Sequence, residues 1–478
     1  MIKRKIFLDA NLFGNDAGED ESTDKLKNYF LTTPEQDAFF SKENKLNFVR
    51  SRKGMGKSAL LCYTASKASI ENPDDIVINI KASELEVDNQ VIYTNAMGYV
   101  NMWQQAMCSR VNNEIGKMLT IGISDDKMSV IEMAEINGFK GKNIVGALLD
   151  RFKIHENKIK IEKKGGKPND SELLKRIQSS QNCNVWLLID DIDATYIDSA
   201  HNRLFISTFF SACRLLSQNI KGLNIRASVR TDVWTLLAST DESLDKCEQY
   251  MYDLKWSTTQ TGQILLNKIK VYYDYCNDKN ETNRYDKRDD VYKNVFKPTF
   301  QWGDHGVNPL RVIHILSAGR PRWASQLCKI AARDAYNKKH SLIGINNINF
   351  AMAEYGRKRL SDLQKEHAHQ CNKVSEIIES FRKGASEYRY DELISHINTR
   401  ILPNTSNIVV DLSSINDAID IARFLYRIGF ITLRNNEFNK AEGFTHYEDA
   451  PDILSETNID HNALWIVHPA YRTALNIR

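Results

Sequence analysis

The feature that most constrains the fold is a glycine-rich loop between a short apolar strand and a helix. The loop reads SRKGMGKS, residues 51–58, and a short strand candidate, NFV at residues 47–49, precedes it. Gly54 and Gly56 allow a tight turn because they carry no Cβ. Backbone N–H groups of such a loop, at the start of a helix, bind phosphate oxygens. In this pattern Lys57 reaches the β- and γ-phosphates and the Ser58 hydroxyl is a magnesium ligand.

One position departs from the usual pattern, since Ser51 stands where a glycine is expected. A GKS triplet alone also occurs in basic surface turns, so that alternative stays open until a second motif is found. If the loop binds a nucleotide, the residues predicted to contact it are Gly54, Met55, Gly56, Lys57, Ser58 and Ala59.

The second motif is an apolar strand that ends in carboxylates. It reads VWLLIDDID, residues 185–193. Ligands of open α/β sheets bind at the carboxyl ends of the strands. We therefore predict that Asp190 is a magnesium ligand and that Asp191 orients the attacking water. For Asp193 the alternative is an N-cap on the next helix. The two motifs in this order predict a site for ATP and Mg²⁺.

Two further segments are candidates for sensing the nucleotide. A strand over residues 223–229 leads into Arg230, which would lie at the same sheet edge and sense the γ-phosphate; an exposed structural arginine is the alternative. The segment GRPR, residues 319–322, begins a helix. Proline in a first helical turn is common, so a plain helix start is the alternative there.

Bulk properties exclude several classes of protein. The 478 residues suggest about three domains. Basic residues number 64 and acidic residues 61, so the net charge of +3 favours no particular partner. The eight cysteines include no CxxC pair, which argues against a zinc site and a disulfide framework. No run of about 18 apolar residues is present. We expect a cytoplasmic protein with no membrane partner.

Strands that alternate with helical segments predict a parallel α/β sheet with both faces covered. The later part of the chain reads as helices and then as a mixture of helices and β-like pieces. The predicted division is a lead-in over residues 1–46, a nucleotide-binding domain over 47–276 with a helical insertion at about 90–180, a helical lid over 277–372 and a winged-helix-like domain over 373–478.

The motifs RKGMGKSALL, LLIDDID, GRPR and LYRIGF…WIVHPAYRTAL, with FGNDAGEDE…YF before the loop, resemble the AAA+ and STAND branch of P-loop ATPases. Within it they are similar to bacterial ATPases often found in phage-defence neighbourhoods. The resemblance implies an α/β P-loop NTPase fold with sheet order 5-1-4-3-2, a helical lid and a C-terminal winged helix. It implies that Pro321 packs near the adenine and that Arg322 contacts the γ-phosphate. His468 is the candidate for a winged-helix histidine near the nucleotide, with a core histidine as the alternative.

The function expected is that of an ATP-hydrolysing switch that controls oligomerisation or engages a separately encoded effector, in bacterial anti-phage defence. One alternative is a DNA-binding ATPase of the replication-initiator type, and another is a scaffold that binds nucleotide without hydrolysing it. The candidate recognition helix, residues 417–427, carries acids, an apolar face and few basic residues. Since duplex binding depends on cations that neutralise phosphates, nucleic acid is not favoured as a partner.

Overall fold

The computed structural model describes a chain with several gaps. The described residues are 8, 10–88, 91–118, 130–131, 133–134, 170–171, 173–175, 184–279, 292–302, 305–434, 443–455 and 458–477. Most of the insertion predicted at about 90–180 lies outside the described residues.

The first half of the chain is built on a five-stranded parallel sheet. Its strands are β1 (Leu46–Arg50), β2 (Ile76–Lys81), β3 (Val185–Asp190), β4 (Leu223–Val229) and β5 (Met251–Asp253). Their order is β2-β3-β4-β1-β5, which is the predicted order 5-1-4-3-2 read from the other edge. β3 and β4 are buried along their whole length, as expected for central parallel strands covered on both faces.

Helices cover the two faces of this sheet. They are α1 (Thr23–Tyr29), α2 (Asp37–Phe40), α3 (Lys57–Glu71), α4 (Ala96–Met118), α5 (Ala200–Asn219), α6 (Thr231–Ala238), α7 (Asp245–Glu248) and α8 (Thr258–Lys279). Because side chains alternate along a strand, Leu187 of β3 packs in the core with α4 and α5. Trp186 and Leu188 pack in the core on the side of α3.

A buried arginine on β4 attaches the N-terminal segment to the sheet. The guanidinium of Arg226 donates to the carbonyl oxygens of Phe39 at 2.6 Å and Ser41 at 2.8 Å, and it lies 5.0 Å from the Trp186 ring. Burial lowers its pKa to about 9. The segment before β1 is therefore part of the domain's core structure, although its sequence suggests only a polar lead-in.

The middle of the chain forms a helical lid. It contains the hairpin β6 (Phe300–Trp302) and β7 (His305–Val307), followed by α9 (Pro309–Leu316), α10 (Pro321–Asn337) and α11 (Ile345–His367). Pro321 is the first residue of α10, as the sequence predicts. α10 and α11 pack against each other through a shared apolar core that includes Leu327 and Tyr355.

The C-terminal part combines helices with a small antiparallel sheet of order β12-β11-β13-β8. Its elements are α12 (Val374–Glu379), β8 (Glu387–Arg389), α13 (Tyr390–His396), β9 (Val409–Val410), β10 (Ser413–Ser414), α14 (Ala418–Arg427), β11 (Ile431–Arg434), β12 (Phe444–Thr445), β13 (Leu464–Val467) and α15 (Pro469–Arg472). Gly429, with φ of 72°, turns the chain from α14 into β11. This is a winged helix, and it shares an apolar core with the lid, where the rings of Trp323 and Tyr471 are 6.5 Å apart.

The predicted fold class is confirmed: the chain has an α/β P-loop NTPase sheet, a helical lid and a C-terminal winged helix. Among the helices within the described ranges, none has the length and apolar character needed to cross a lipid bilayer.

Candidate functional site

The P-loop has the geometry that phosphate binding requires. Gly54 and Gly56 have φ of 83° and 104°, in the left-handed region that favours glycine. A Cβ at Gly56 would meet nothing within 4 Å, so the space beside the loop is open. α3 begins directly after it at Lys57, and the first turn of a helix leaves its N–H groups without intrahelical acceptors. Lys57 Nζ donates to the Ser51 carbonyl at 2.9 Å, and burial lowers its pKa although carboxylates lie nearby.

A cleft of about 220 Å³ opens over this loop. The predicted nucleotide contacts Gly54, Met55, Gly56, Lys57, Ser58, Ala59, Pro321 and Arg322 all line it, together with Asp191. The cleft therefore brings the sheet domain and the lid together around one space. The roles given to these residues stay predictions.

Part of the cleft lining is apolar, and several of these residues come from the N-terminal segment. Tyr29, Phe30, Leu31, Ile264 and Pro321 are among them. Such a wall next to a phosphate-binding loop suits a nucleotide, with the base against the apolar side chains and the phosphates on the loop. Sequence reasoning missed these N-terminal residues as contacts. The sequence feature that could have indicated these contacts is the segment FGNDAGEDE…YF, which ends in Tyr29 and Phe30.

The N-terminal segment reaches the cleft because it packs directly on α3. A Cβ at Gly18 would stand 2.6 Å from the Cβ of Ala59, so this contact requires glycine or a shift of the chain. Asp16 and Lys268 also line the cleft. Lys268 Nζ donates to the Asn15 carbonyl at 2.9 Å, and burial lowers its pKa to about 8.

The two predicted carboxylates follow β3 but differ in environment. Asp190 is buried and accepts a hydrogen bond from the Ser228 hydroxyl on β4. Asp191 has φ of 59°, and its half-exposed carboxylate lies 3.7 Å from Lys81 Nζ. Magnesium prefers oxygen ligands such as the Asp190 carboxylate and the Ser58 hydroxyl, so these residues fit the ion. Within the described ranges no group of three or more histidine, cysteine or acidic side chains forms a metal site. A magnesium ion here would therefore also depend on phosphate oxygens and water.

A buried arginine at the end of β4 is surrounded by acids. The Arg230 N–H donates to Asp193 Oδ2 at 2.6 Å, and its guanidinium lies 3.4 Å from both Asp193 and Asp232. Arg230 Nη1 is 3.9 Å from Glu366 Oε1 of α11. Burial alone would lower the pKa of Arg230, but Asp232, Asp193 and Glu366 outweigh it and the pKa is raised.

Two alternatives from the sequence are wrong at this point. Arg230 is only 8% exposed, so it is not an exposed structural arginine. Asp193 is not the N-cap of the next helix, because α5 begins at Ala200 with Ser199 as its cap. The roles of Asp193, Asp232 and Glu366 were missed because their side chains meet Arg230 only in the folded chain.

The lid touches the P-loop through its backbone. Arg322 N lies 3.4 Å from the Gly54 carbonyl and donates to it, and the Arg322 side chain lines the cleft. A movement of α10 would therefore also move the backbone of the P-loop at Gly54. His468 does not line the cleft. It is buried, and its Nδ1 accepts from the Ala470 N–H at 3.2 Å, as the core-histidine alternative predicts.

The winged helix also contacts the sheet domain near the P-loop. Lys255 Nζ lies 2.7 Å from Asp449, and Arg52 Nε lies 3.8 Å from Glu448. The residues of these ion pairs line a cavity of about 60 Å³. The cleft, the lid and the winged helix thus form one connected assembly.

No protein-family model matches the chain, and no curated protein matches it. Among solved structures, the Aeropyrum pernix ORC2 protein in ADPNP–ADP complexes is similar at 11% identity and a TM-score of 0.39, over 98% of this chain and 96% of that one. The structure of CDC6P from Pyrobaculum aerophilum is similar at 12% identity and a TM-score of 0.33, over 95% of this chain and 96% of that one.

Proposed function

We propose that this chain is an ATP-binding and ATP-hydrolysing switch. The observation that carries the proposal is the shared cleft, in which the P-loop and the lid residues Pro321 and Arg322 line the same space. A nucleotide in such a cleft contacts both parts at once. Since a ligand shifts a conformational equilibrium only through contacts that differ between states, nucleotide state would act through the position of the lid.

In this proposal residues 47–276 bind the nucleotide, 277–372 form the lid and 373–478 form the winged helix. Lys57 and the P-loop N–H groups hold the phosphates, while the apolar end of the cleft holds the base. Ser58 and Asp190 would hold Mg²⁺, which supplies positive charge to the phosphates. Asp191 orients the attacking water from the open side of the cleft. Arg230 detects the γ-phosphate from the end of β4.

The partner of the switch would be a second copy of the chain or a separately encoded effector. The anti-phage setting and the cytoplasmic location stay predictions from the sequence. The test of the switch is the size of the full-length protein in light scattering after gel filtration, with ADP or with a slowly hydrolysed ATP analogue. We expect the analogue alone to change the assembly or its elution. Identical profiles, together with normal phosphate release, would contradict the switch but not the ATPase. Nucleotide binding without phosphate release would support the non-hydrolysing scaffold instead.

The second candidate is a DNA-binding ATPase of the replication-initiator type. In the structure every residue of α14, the candidate recognition helix, is buried or half-buried. Arg427 of that helix pairs with Asp411 at 2.5 Å, and Arg423 pairs with Asp420 at 2.8 Å. Both cations are thus engaged within the domain.

Fluorescence anisotropy of labelled duplex DNA at two salt concentrations separates the candidates. We expect at most weak binding without sequence preference, with ADP or with the ATP analogue. Submicromolar binding at physiological salt that weakens steeply as salt rises would favour the DNA-binding candidate, since counterion release gives that slope.

A further inference from the structure

A glutamate at the end of the lid helix α11 joins the P-loop to the arginine at the end of β4. Glu366 Oε2 lies 3.5 Å from Lys53 Nζ, and its Oε1 lies 3.9 Å from Arg230 Nη1. The Glu366 side chain is only 12% exposed, and that of Arg230 is 10% exposed. One carboxylate therefore lies between two cations, Lys53 of the P-loop, which lines the cleft, and Arg230, which directly follows β4.

The position of Glu366 is fixed by the end of its helix. His367, the last residue of α11, is buried, and its Nδ1 lies 2.6 Å from Gln370 Oε1. Two residues beyond the helix, His369 Nε2 donates to the Tyr196 carbonyl at 2.9 Å, in the loop that follows β3. The end of α11 thus spans the loops after β1, β3 and β4, where the predicted catalytic residues lie.

We propose that Glu366 sets the preference of the site between ATP and ADP, an inference that rests on the nucleotide site proposed above. A carboxylate and a γ-phosphate are both oxygen anions, and both bind guanidinium and ammonium groups. Arg230 and Lys53 hold Glu366 when no γ-phosphate is bound. ATP replaces the glutamate at these cations, whereas ADP has no phosphate that reaches them and leaves the glutamate in place.

Because the γ-phosphate competes with Glu366, its binding changes how α11 of the lid is attached to the sheet domain. α11 runs for 23 residues through the lid, and α12 of the winged helix begins at Val374. Release of Glu366 removes one of the contacts between the end of α11 and the sheet domain, beside the His369–Tyr196 bond, and loosens the connection to the winged helix. Glu366 is thus a specificity-determining residue, and the hydrolysis chemistry itself does not need it.

The test measures the affinity of the full-length protein for ADP and for a slowly hydrolysed ATP analogue, both with magnesium, by calorimetry. Glu366→Gln removes the charge and keeps the shape. We expect it to raise the affinity for the ATP analogue about three- to tenfold, as expected for losing two partly exposed ion pairs. The affinity for ADP should change by less than about twofold. Glu366→Asp keeps the charge and should retain most of the parental ratio of the affinities for ADP and for the ATP analogue.

The matched control is Asp449→Asn, which removes another ion pair between the sheet domain and the C-terminal part, 2.7 Å from Lys255, outside the nucleotide cleft. It should leave the ratio of the two affinities unchanged. Equal changes for ADP and the analogue in Glu366→Gln, or no change in either, would overturn the inference. If the parental protein binds neither nucleotide, the proposed function itself fails.

A second measurement needs no variant. Hydrogen exchange of residues 362–372 in the parental protein should rise with the ATP analogue and stay low with ADP, because only the analogue displaces Glu366. Equal protection in the two states, with both nucleotides shown to be bound, would also overturn the inference.

Discussion

The indole N–H of Trp256 donates to the carbonyl oxygen of Met55 at 2.7 Å, and this bond fixes the turn of the P-loop to the chain that follows β5. Trp256 is 6% exposed and also lines the cleft over the P-loop. The bond satisfies a carbonyl in the middle of the loop, so the loop is shaped before any phosphate arrives. Preorganisation of this kind reduces the ordering cost of binding.

Replacing the P-loop lysine should abolish measurable ATP binding or hydrolysis without unfolding the protein. Lys57→Ala removes a charge-assisted contact to phosphate, which contributes about 1.5–3 kcal/mol. In the structure this ammonium donates to the backbone carbonyl of Ser51 at 2.9 Å, so the substitution removes no side-chain partner of that bond. Calorimetry with ATP analogue and a phosphate-release assay measure the effect. Lys67→Ala, on the same helix but outside the cleft, is the control. Turnover near the parental rate in Lys57→Ala would refute the P-loop assignment.

The two carboxylates after β3 should give different defects. Asp191→Asn should bind ATP but hydrolyse it slowly, because an amide keeps the shape and cannot act as a base. Asparagine also tolerates the φ of 59° at this position. Asp190→Asn should instead weaken the dependence of binding on magnesium. Titrations of nucleotide with and without magnesium, beside single-turnover hydrolysis, separate the two. If the defects are exchanged, the two roles must be exchanged as well.

The lid should lose its response to nucleotide when the Arg322 side chain is removed. In Arg322→Ala the backbone bond to Gly54 remains, but the side chain that lines the cleft is gone. We expect ATP to bind and no longer change hydrogen exchange across the described residues of 300–340. Arg333→Ala serves as the control, since Arg333 lies on the same helix, is exposed and pairs with Glu354. An ATP-dependent exchange pattern that survives in Arg322→Ala would contradict this role.

Stability should fall as the pH drops below about 6.5, the pKa of histidine in an unfolded chain. Burial, together with the nearby Arg52 and Arg320, holds the pKa values of His446 and His468 well below their usual range. Above pH 6.5 both histidines are neutral in either state and add no pH dependence. Below it the unfolded chain takes up protons that the folded chain does not. Each histidine then removes up to about 1.4 kcal/mol of unfolding free energy per pH unit. Glu448, whose pKa burial raises, acts in the opposite direction in acid.

Urea denaturation at pH 7.5, 6.5 and 5.5 measures this slope. His468→Asn should reduce it, because asparagine keeps the N-cap of α15 without a titratable group. The exposed His461 provides the control variant His461→Asn. If the unfolding free energy depends on pH equally in both variants, His468 does not contribute to that dependence.

The sequence allows the sheet and the phosphate end of the site to be predicted because both depend on local patterns. The loop from Gly54 to Ser58 follows a strand directly, and Asp190 ends a continuous apolar run. Each of these signals lies within about ten residues of chain. The fold then brings the strand ends to one edge, as parallel sheets require.

The rest of the site depends on contacts between distant residues, which local strand and loop patterns do not predict. Glu366 meets Arg230 only after the lid has folded over the sheet. Tyr29 lines the cleft because Gly18 lets the N-terminal segment lie on α3. The sequence suggests that a helix begins directly after Asp193. In the structure the next helix, α5, begins only at Ala200.

The strand order has a consequence for how the chain is made. β1, which carries the P-loop, pairs with β4 on one side and β5 on the other, and both are encoded far downstream. A ribosome adding about 5–20 residues per second needs about 9–35 seconds to travel from Arg50 to Leu223. Throughout that time β1, the strand that leads into the P-loop, has neither neighbour. Nascent chains that stop before β4 would therefore contain the P-loop sequence but could not fold it into the P-loop structure. Nucleotide could not help such chains to fold.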